Sequence, residues 1–437
     1  MRASLDRCVQ RTSAHKYTFR RTARFSGISP IGGSEMTDNQ KRYVGLDVHK
    51  HYVMVGAVNA DQEMVLPPRK VSLTEFEGWA KKYLRPTDEV VLEATTNAWY
   101  LYDLLEPLVG RVLVCHPPQV KLIAAAFVKT DKKDTMTLAK LLAVGMIPAV
   151  WVPPVHVREL RALINHRHRL IAQQTRLKNQ LQSLLHRHHL VPPGGKLFGA
   201  ANRSWWLGLS LNPSEKLRLR QDLTLLDQLS PLISEVEEEL NRLSLAEPWA
   251  DQMPYLLQLP GIGLITAMTI LGAIGQIERF PAAKKLVGYA GLGAKVHSSG
   301  QTHRTGGITK QGRRELRRVL IEAAWTAVRY DQHWQEQFER LAYRIGREKA
   351  IVAIARKLLV IIWHVLTAKV ADRRAEPQQV ARYFIRWGRQ LRVKTTLGLK
   401  ASEFARQHLD RLKLGQELER VPYGTVTYCL PPSTTAT

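Results

Sequence analysis

Cysteine is almost missing from this chain. Among 437 residues only Cys8, Cys115 and Cys429 are cysteines, far apart and odd in number. That excludes a disulfide framework and a cysteine-built zinc site, and it suits a reducing cytoplasm. Acid is scarce as well: 38 Asp and Glu stand against 64 Lys and Arg, a formal charge of +26. An excess so large and so widely spread argues for a polyanionic partner, most simply nucleic acid. No amphipathic anchor favours a membrane surface. The uncharged run over 252–277 does not serve as a span, because Pro254, Pro260, Gly261, Gly263, Gly272 and Gly275 break it and Gln258 and Gln276 add polar cost. Residues 1–35 lack the apolar stretch of a secretory signal and carry seven Arg and Lys against Asp6 and Glu35. Residues 1–40 are expected to be a disordered or spurious extension, with Met36 as the true start.

What remains is 45% apolar, enough to bury cores, and the length allows roughly two to four domains. The stretch from Arg42 to Val48 predicts a strand. Val44, Leu46 and Val48 alternate with Tyr43, Gly45 and Asp47, so one face is apolar and the other bears a single carboxylate. Gly45 leaves room for something to approach the backbone beside Asp47. Taken alone, Asp47 reads equally well as a turn cap or as a group that holds a cation.

Residues 51–58 and 63–66 read as two further antiparallel strands. Ser72-Leu73-Thr74-Glu75 has the pattern of a capping box that opens a helix to about Leu84. Then come a strand over 88–94 with Glu93 near its end, a helix over 97–109, a strand over 111–115 and a short helix or loop over 118–127. A helix from about 130 to 144 and a short strand near 149–152 follow. Three strands, helix, strand, helix, strand, helix is the order of a ribonuclease H-like α/β domain, here residues 41–153. In such sheets ligands gather at the carboxyl ends of strands, where Asp47 and Glu93 both fall. Asp131 and Asp134 are three apart at a helix start and share a face. As a lone pair they read as helix caps and dipole partners. As members of a set of four acids they need cations to be held close. Mg²⁺ or Mn²⁺ takes oxygen ligands, and two such ions about 4 Å apart drive phosphoryl transfer.

Pro153-Pro154 marks a boundary. Leu163, Leu170, Leu177 and Leu184 recur at intervals of seven, with Leu160 and Leu181 between them, although Arg167 and Gln174 interrupt the stripe. This predicts a helical coiled-coil middle over 154–250. Its Arg161, Arg169, Arg176 and Lys178 would meet phosphates. His166, His168, His186, His188 and His189 read as basic surface, since no Cys or carboxylate partners accompany them. A second helix over about 230–244 is expected to return antiparallel.

A mainly helical domain is expected over 251–370. Leu259-Pro260-Gly261-Ile262-Gly263 has the form of a helix-hairpin-helix turn, and the amides at Gly261 and Gly263 can hold a DNA phosphate. A tight buried turn explains the same residues, and the two readings coexist. Residues 286–312, punctuated by Gly and Ser, read as a loop before a basic helix, with Arg304, Lys310, Arg313, Arg314 and Arg317 gathered there. Ser299 before Gly300 is a candidate nucleophile. Serine needs a base or a metal to act, and from the residues alone Ser299 reads as an ordinary turn serine. Residues 371–437 read as an appendage: a packed terminal helix over 380–391 and an end that is disordered from Pro431 to Thr437.

Together these motifs closely resemble the DEDD transposases of bacterial insertion sequences. That family has a RuvC-like N-terminal domain, a coiled coil and a C-terminal transposase domain, and the pilin-gene invertase belongs with it. The resemblance covers about Tyr43 to Tyr330. It rests on Val44-Gly45-Leu46-Asp47-Val48, Leu92-Glu93-Ala94-Thr95, Lys129-Thr130-Asp131 with Asp134, and Leu259-Pro260-Gly261-Ile262-Gly263. Tyr289-Ala290-Gly291-Leu292, Ser299-Gly300 and Ile308-Thr309-Lys310-Gln311-Gly312 complete it. It implies that Asp47, Glu93, Asp131 and Asp134 hold the metal ions. It implies that Ser299, with Ser298 as its neighbouring rival, attacks the scissile phosphate and forms a covalent link to DNA. Strand exchange, through a Holliday junction, would follow. The two halves of one active site would come from different protomers of a dimer or tetramer, and a structured bridge RNA would pair with element and target DNA. Two alternatives stand beside this: a junction nuclease acting by hydrolysis alone, and a non-catalytic nucleic-acid-binding protein, against which the intact acidic quartet argues.

Overall fold

The computed structural model describes residues 41–124, 130–299 and 302–434. The extension over 1–40, Lys129, Gly300 and the last three residues lie outside them. The structure divides into two units, with the boundary between Val152 and Pro153, at the proline pair.

The first unit is built on five strands: β1 (Tyr43–Val48), β2 (Tyr52–Val58), β3 (Met64–Ser72), β4 (Glu89–Glu93) and β5 (Arg111–Cys115). Their order is β3-β2-β1-β4-β5. β1, β2 and β3 are antiparallel neighbours, while β4 pairs parallel with β1 and β5 parallel with β4. This is the mixed sheet of a ribonuclease H-like domain. The helices are α1 (Phe76–Tyr83), α2 (Ala98–Leu105), α3 (Pro117–Ile123) and α4 (Asp131–Ala143). Leu46, Val55, Val90, Leu92, Leu101 and Leu105 form one buried core between sheet and helices. α4 packs across β1 and β2. Gly45 permits that contact, since a Cβ there would lie 2.2 Å from the Thr135 carbonyl oxygen. The approach expected at Gly45 is thus made by a helix of the same unit.

Two local expectations are corrected. Ser72 does not cap a helix: it is the last residue of β3, paired with Tyr52, and α1 starts at Phe76 with no side-chain cap. The Ser72 hydroxyl instead meets Thr74 Oγ1 at 2.8 Å. The strand near 149–152 is a single bridge between Ala149 and Cys115, hemmed by Pro148 and Pro153, which lack the N–H that a ladder needs.

The second unit is mainly helical. α5 (Val155–Arg187) and α7 (Pro213–Leu243) flank the short α6 (Arg203–Leu207). The two long helices run antiparallel: Arg167 pairs with Glu237 while Arg187 pairs with Glu215. α7 begins at Pro213 rather than near 230. Asn212 caps it, accepting from the Glu215 amide at 2.9 Å, and Pro231 sits inside the helix. α8 (Met253–Leu257), α9 (Leu264–Ile274) and α10 (Ala283–Tyr289) lead into the hairpin of β6 (Ala294–Ser299) and β7 (Thr302–Ile308). The hairpin corrects the loop expected over 286–312: between 294 and 308 the chain pairs as strands, Ala294 opposite Ile308 and Ser299 opposite Thr302, with an irregularity between Ala294 and Val296.

α11 (Arg314–Tyr330), α12 (Gln332–Ile345) and α13 (Arg347–Ala368) follow. Among the described residues α13 is the one helix long and apolar enough to cross a bilayer. It packs against α10, α11 and α12, with Ile354, Leu358, Leu359 and Ile362 buried. α14 (Pro377–Gln390), α15 (Val393–Thr396), α16 (Ala401–Arg411) and the hairpin β8 (Arg420–Tyr423) and β9 (Val426–Cys429) end the fold. α14 is the packed terminal helix expected: Trp387 lies against Phe404 and His408 of α16. The end beyond Pro431 is not loose as far as Thr434. Ser433 Oγ and the Thr434 amide donate to Asp410 at 2.8 and 3.1 Å.

Candidate active site

Strand register brings the first two acids side by side. Leu46 of β1 pairs with Leu92 of β4, and Asp47 and Glu93 are the next residue on each, at the carboxyl ends. α4 supplies the other two. Its cap is Thr130, whose hydroxyl accepts from the Lys133 amide at 3.3 Å, so capping falls to a neighbour of Asp131. Asp47, Glu93, Asp131 and Asp134, all half-buried, line one cavity of about 520 Å³.

Two further residues join them, His49 from the β1–β2 turn and Tyr52 from the start of β2. His49 Nε2 lies 3.1 Å from Asp47 Oδ2 and 3.4 Å from Asp131 Oδ2. The Tyr52 hydroxyl donates to Asp131 Oδ2 at 2.8 Å, and its ring stacks on His49 with centroids 4.5 Å apart. Burial lifts the Asp47 carboxyl above its ordinary range; His49 opposes this, and the charges of Asp131 and Asp134 add to it. Cys115, opposite Glu93 in the β4–β5 register, has its thiol pushed up to about 12 by burial and by the Glu93 charge. It stays a protonated thiol. Crowded, partly desolvated carboxylates are a hard oxygen donor set suited to a divalent cation. Asp47, His49 and Asp131 bring ligand atoms within 4.8 Å of one another. Sequence reasoning missed His49 and Tyr52. The signal was present: His49 follows Asp47 by two residues, just past the end of β1.

The serine lies in the second unit. Ser299 ends β6, Ser298 precedes it, and both are exposed. Successive strand residues point to opposite faces, so the two hydroxyls do not share one. Arg304 stands on β7 opposite His297.

The basic residues fall into two groups. Arg169, Arg176, Lys310 and Arg314 are exposed. Lys178 is half-buried and donates to Gln174. Arg161, Arg313 and Arg317 turn inward. Arg161 donates to the Gly272 and Ala273 carbonyls at 2.7 and 3.0 Å. Arg317 donates to the Ala290 carbonyl at 3.0 Å, and Arg313 to the Tyr289 hydroxyl at 3.1 Å. Arg279, not singled out from sequence, donates to the Ile274 carbonyl at 2.8 Å. The carbonyls of Gly272, Ala273 and Ile274 are the unsatisfied end of α9, where positive charge is favoured. Burial opposes ionisation of Tyr289, but Arg313, Arg279 and Arg161 together draw its phenol below the ordinary value. Gly261 has φ 82°, and a Cβ there would meet the Ala323 carbonyl oxygen at 2.2 Å. The glycine turn between α8 and α9 is therefore packed against α11, while Gly263 caps α9.

A DEDD transposase profile matches residues 44–190, and the profile described as the transposase IS116/IS110/IS902 family matches residues 253–339. The putative transposase y4qE of Sinorhizobium fredii is 26% identical over 310 residues, covering 68% of this chain and 74% of its own length. The transposase for insertion sequence element IS1111A of Coxiella burnetii is 28% identical over 289 residues, covering 64% and 77%. The pilin gene-inverting protein of Moraxella bovis is 28% identical over 339 residues, covering 75% and 96%. The first match holds all four acids and the second holds the hairpin with Ser299. The chain is an enzyme of the IS116/IS110/IS902 transposase family, with the DEDD domain first and the second family domain after it.

Proposed function

We propose that this transposase cuts and rejoins DNA with Asp47, Glu93, Asp131 and Asp134 as metal-holding carboxylates and Ser299 as nucleophile. The observation that carries the reading is the convergence of four acids from β1, β4 and α4 on one cavity. Mg²⁺ or Mn²⁺, two ions per site, would supply charge neutralisation at the scissile phosphate. The chain's own groups bind and orient: Tyr52 fixes one oxygen of Asp131, and His49 lies between Asp47 and Asp131. Ser299 Oγ bonds to phosphorus as the bond to the departing sugar oxygen breaks, and the serine proton ends on that oxygen. A hydroxyl of another strand reverses the step and completes exchange through a Holliday junction.

Acids and serine belong to different units, so the reading joins them within one chain or between protomers of a dimer or tetramer. We take residues 154–250 as a coiled-coil arm that pairs protomers, 251–370 as the serine-bearing domain and 371–437 as an appendage. Exposed Arg169, Arg176, Lys310 and Arg314, together with Lys178 and Arg304, support contact with phosphates of DNA ends, of target, and of a structured bridge RNA. Arg161, Arg313 and Arg317 brace the fold beneath that surface, and the turn at Gly261 and Gly263 offers amides to a phosphate. Sequence choice then lies in base pairing, with the protein reading backbone. The reaction takes place in the cytoplasm.

The test compares Ser299→Ala and Ser298→Ala on labelled element ends with Mg²⁺. Ser299→Ala should lose both the covalent adduct and strand joining, while Ser298→Ala keeps them. Cutting by Ser299→Ala at the original rate would mean hydrolysis by the carboxylates alone. Nucleic acid that co-purifies should contain one structured RNA matching element and target; DNA alone would remove RNA from the reading.

A further inference from the structure

The cavity is described above by its four acids, yet the atoms held closest to a coordination geometry include a nitrogen. His49 Nε2 stands 3.1 Å from Asp47 Oδ2 and 3.4 Å from Asp131 Oδ2. Two ligands at right angles on one ion, each about 2.1 Å from it, lie about 3.0 Å apart. Nε2 therefore already has the spacing of a neighbouring ligand to each of the two oxygens, and one ligand atom from each of the three residues lies within 4.8 Å of the others. The imidazole is also pinned. Its ring stacks on Tyr52 at an interplanar angle of 22°, Tyr52 is tied to Asp131, and Lys70 Nζ lies 3.7 Å from the Tyr52 ring centre. The His49 amide donates to the Tyr52 carbonyl at 2.9 Å, which closes the turn beneath the ring.

We infer that His49 Nε2 is a protein ligand to one of the two cations, beside Asp47 and Asp131, and that it biases that position toward Mn²⁺ over Mg²⁺. The inference rests on the metal reading of the preceding section. Mg²⁺ is a hard ion that takes oxygen and keeps its waters, whereas imidazole nitrogen gains affinity along the series that begins with Mn²⁺. A nitrogen in the ligand set thus separates two ions that carboxylates alone barely distinguish. Tyr52 is a positioning residue in this arrangement, acting through the ring it stacks on and the carboxylate it bonds.

The test is titration of Mn²⁺ into the full-length protein, with electron spin echo spectra of the bound ion read for histidine nitrogen modulation and with Mg²⁺ as competitor. The unaltered protein should show the nitrogen signal. His49→Gln should abolish it, weaken Mn²⁺ at least about tenfold and narrow its advantage over Mg²⁺, with an unchanged circular dichroism spectrum. Tyr52→Phe keeps the stack and should keep the nitrogen signal with weaker binding. Bound Mn²⁺ without nitrogen modulation in the unaltered protein, or unchanged selectivity in His49→Gln, overturns the ligand role and leaves the carboxylate site standing. Absence of Mn²⁺ binding, or binding indifferent to Asp47→Asn, overturns the carboxylate reading and this inference with it. Should His49→Gln fail to fold, the spectrum of the unaltered protein decides.

Discussion

Like charges are crowded in both units, and the two crowds are resolved by different means. In the second unit Arg161, Arg279, Arg313 and Arg317 gather around the end of α9 and Tyr289, and each donates to a backbone carbonyl or to the phenol. Carbonyls at a helix end come with the fold, so guanidiniums can be satisfied from within. In the first unit Asp47 and Asp131 receive a histidine nitrogen and a tyrosine hydroxyl, and burial still lifts the Asp47 carboxyl. No part of a backbone offers a full positive charge to set against carboxylates, so the acid cluster draws its cation from solution. Charge density by itself does not distinguish a binding site from a brace; the kind of group that meets the charge does.

The sharpest way to break this contrast is Asp47→Asn. It keeps the shape and removes the charge. Strand cleavage should fall on the order of 10³-fold, the scale of several kcal/mol lost from metal-assisted catalysis. The melting temperature measured without metal should hold or rise, because a carboxylate disfavoured by burial has been removed.

A smaller effect comes from a third treatment of charge, refusal. His408 is buried among Phe384, Trp387 and Phe404. Burial, with Arg411 adding to it, lowers its pKa from 6.5 to about 3. The unfolded chain protonates this ring first, so unfolding takes up a proton between those values. Stability from the neutral ring is complete above pH 6.5 and is lost as pH falls toward about 3, with a slope of about 1.4 kcal/mol per pH unit. Urea melts at several pH values should show a shallower slope for His408→Phe than for the unaltered chain. An equal slope would mean the ring is not held neutral.

The smallest effect sharpens the brace. Arg161→Gln leaves the Gly272 and Ala273 carbonyls short of donors, which should cost about 1–3 kcal/mol in thermal or urea melts. The sign is opposite to that of Asp47→Asn. If Arg161→Gln weakened DNA binding and left stability intact, the inward arginines would belong to the binding surface instead.

Much of the first unit was legible. β1 could be read because alternation is its own signal, and Asp131 and Asp134 because helical spacing puts them on one face. What could not be read was where strands stop. The place of Tyr52 beside His49 depends on the β1–β2 turn falling at 49–51, and periodicity does not fix an end. Ser299 was found as a residue, yet its hairpin was hidden because glycines 306 and 307 look like a loop when the partner strand is unknown. In sequence the second long helix reads as starting near 230; packing against α5 carries α7 through Pro231 from a start at Pro213. Arg161 looked like surface because nothing in its neighbourhood of sequence announces that the end of α9 lies against it.

The arm has a mechanical consequence. α5, at 33 residues, is about 50 Å long. Near one end Arg161 clasps the carbonyls of α9. Toward the other, Leu181, Leu184 and Leu185 lock with Trp206, Leu219 and Leu223. One residue inserted between Leu170 and Leu181 would turn everything beyond it by about 100°, and clasp and lock would no longer engage together. α5 behaves as a keyed shaft: the angle at which its far end meets α6 and α7 is counted out in residues.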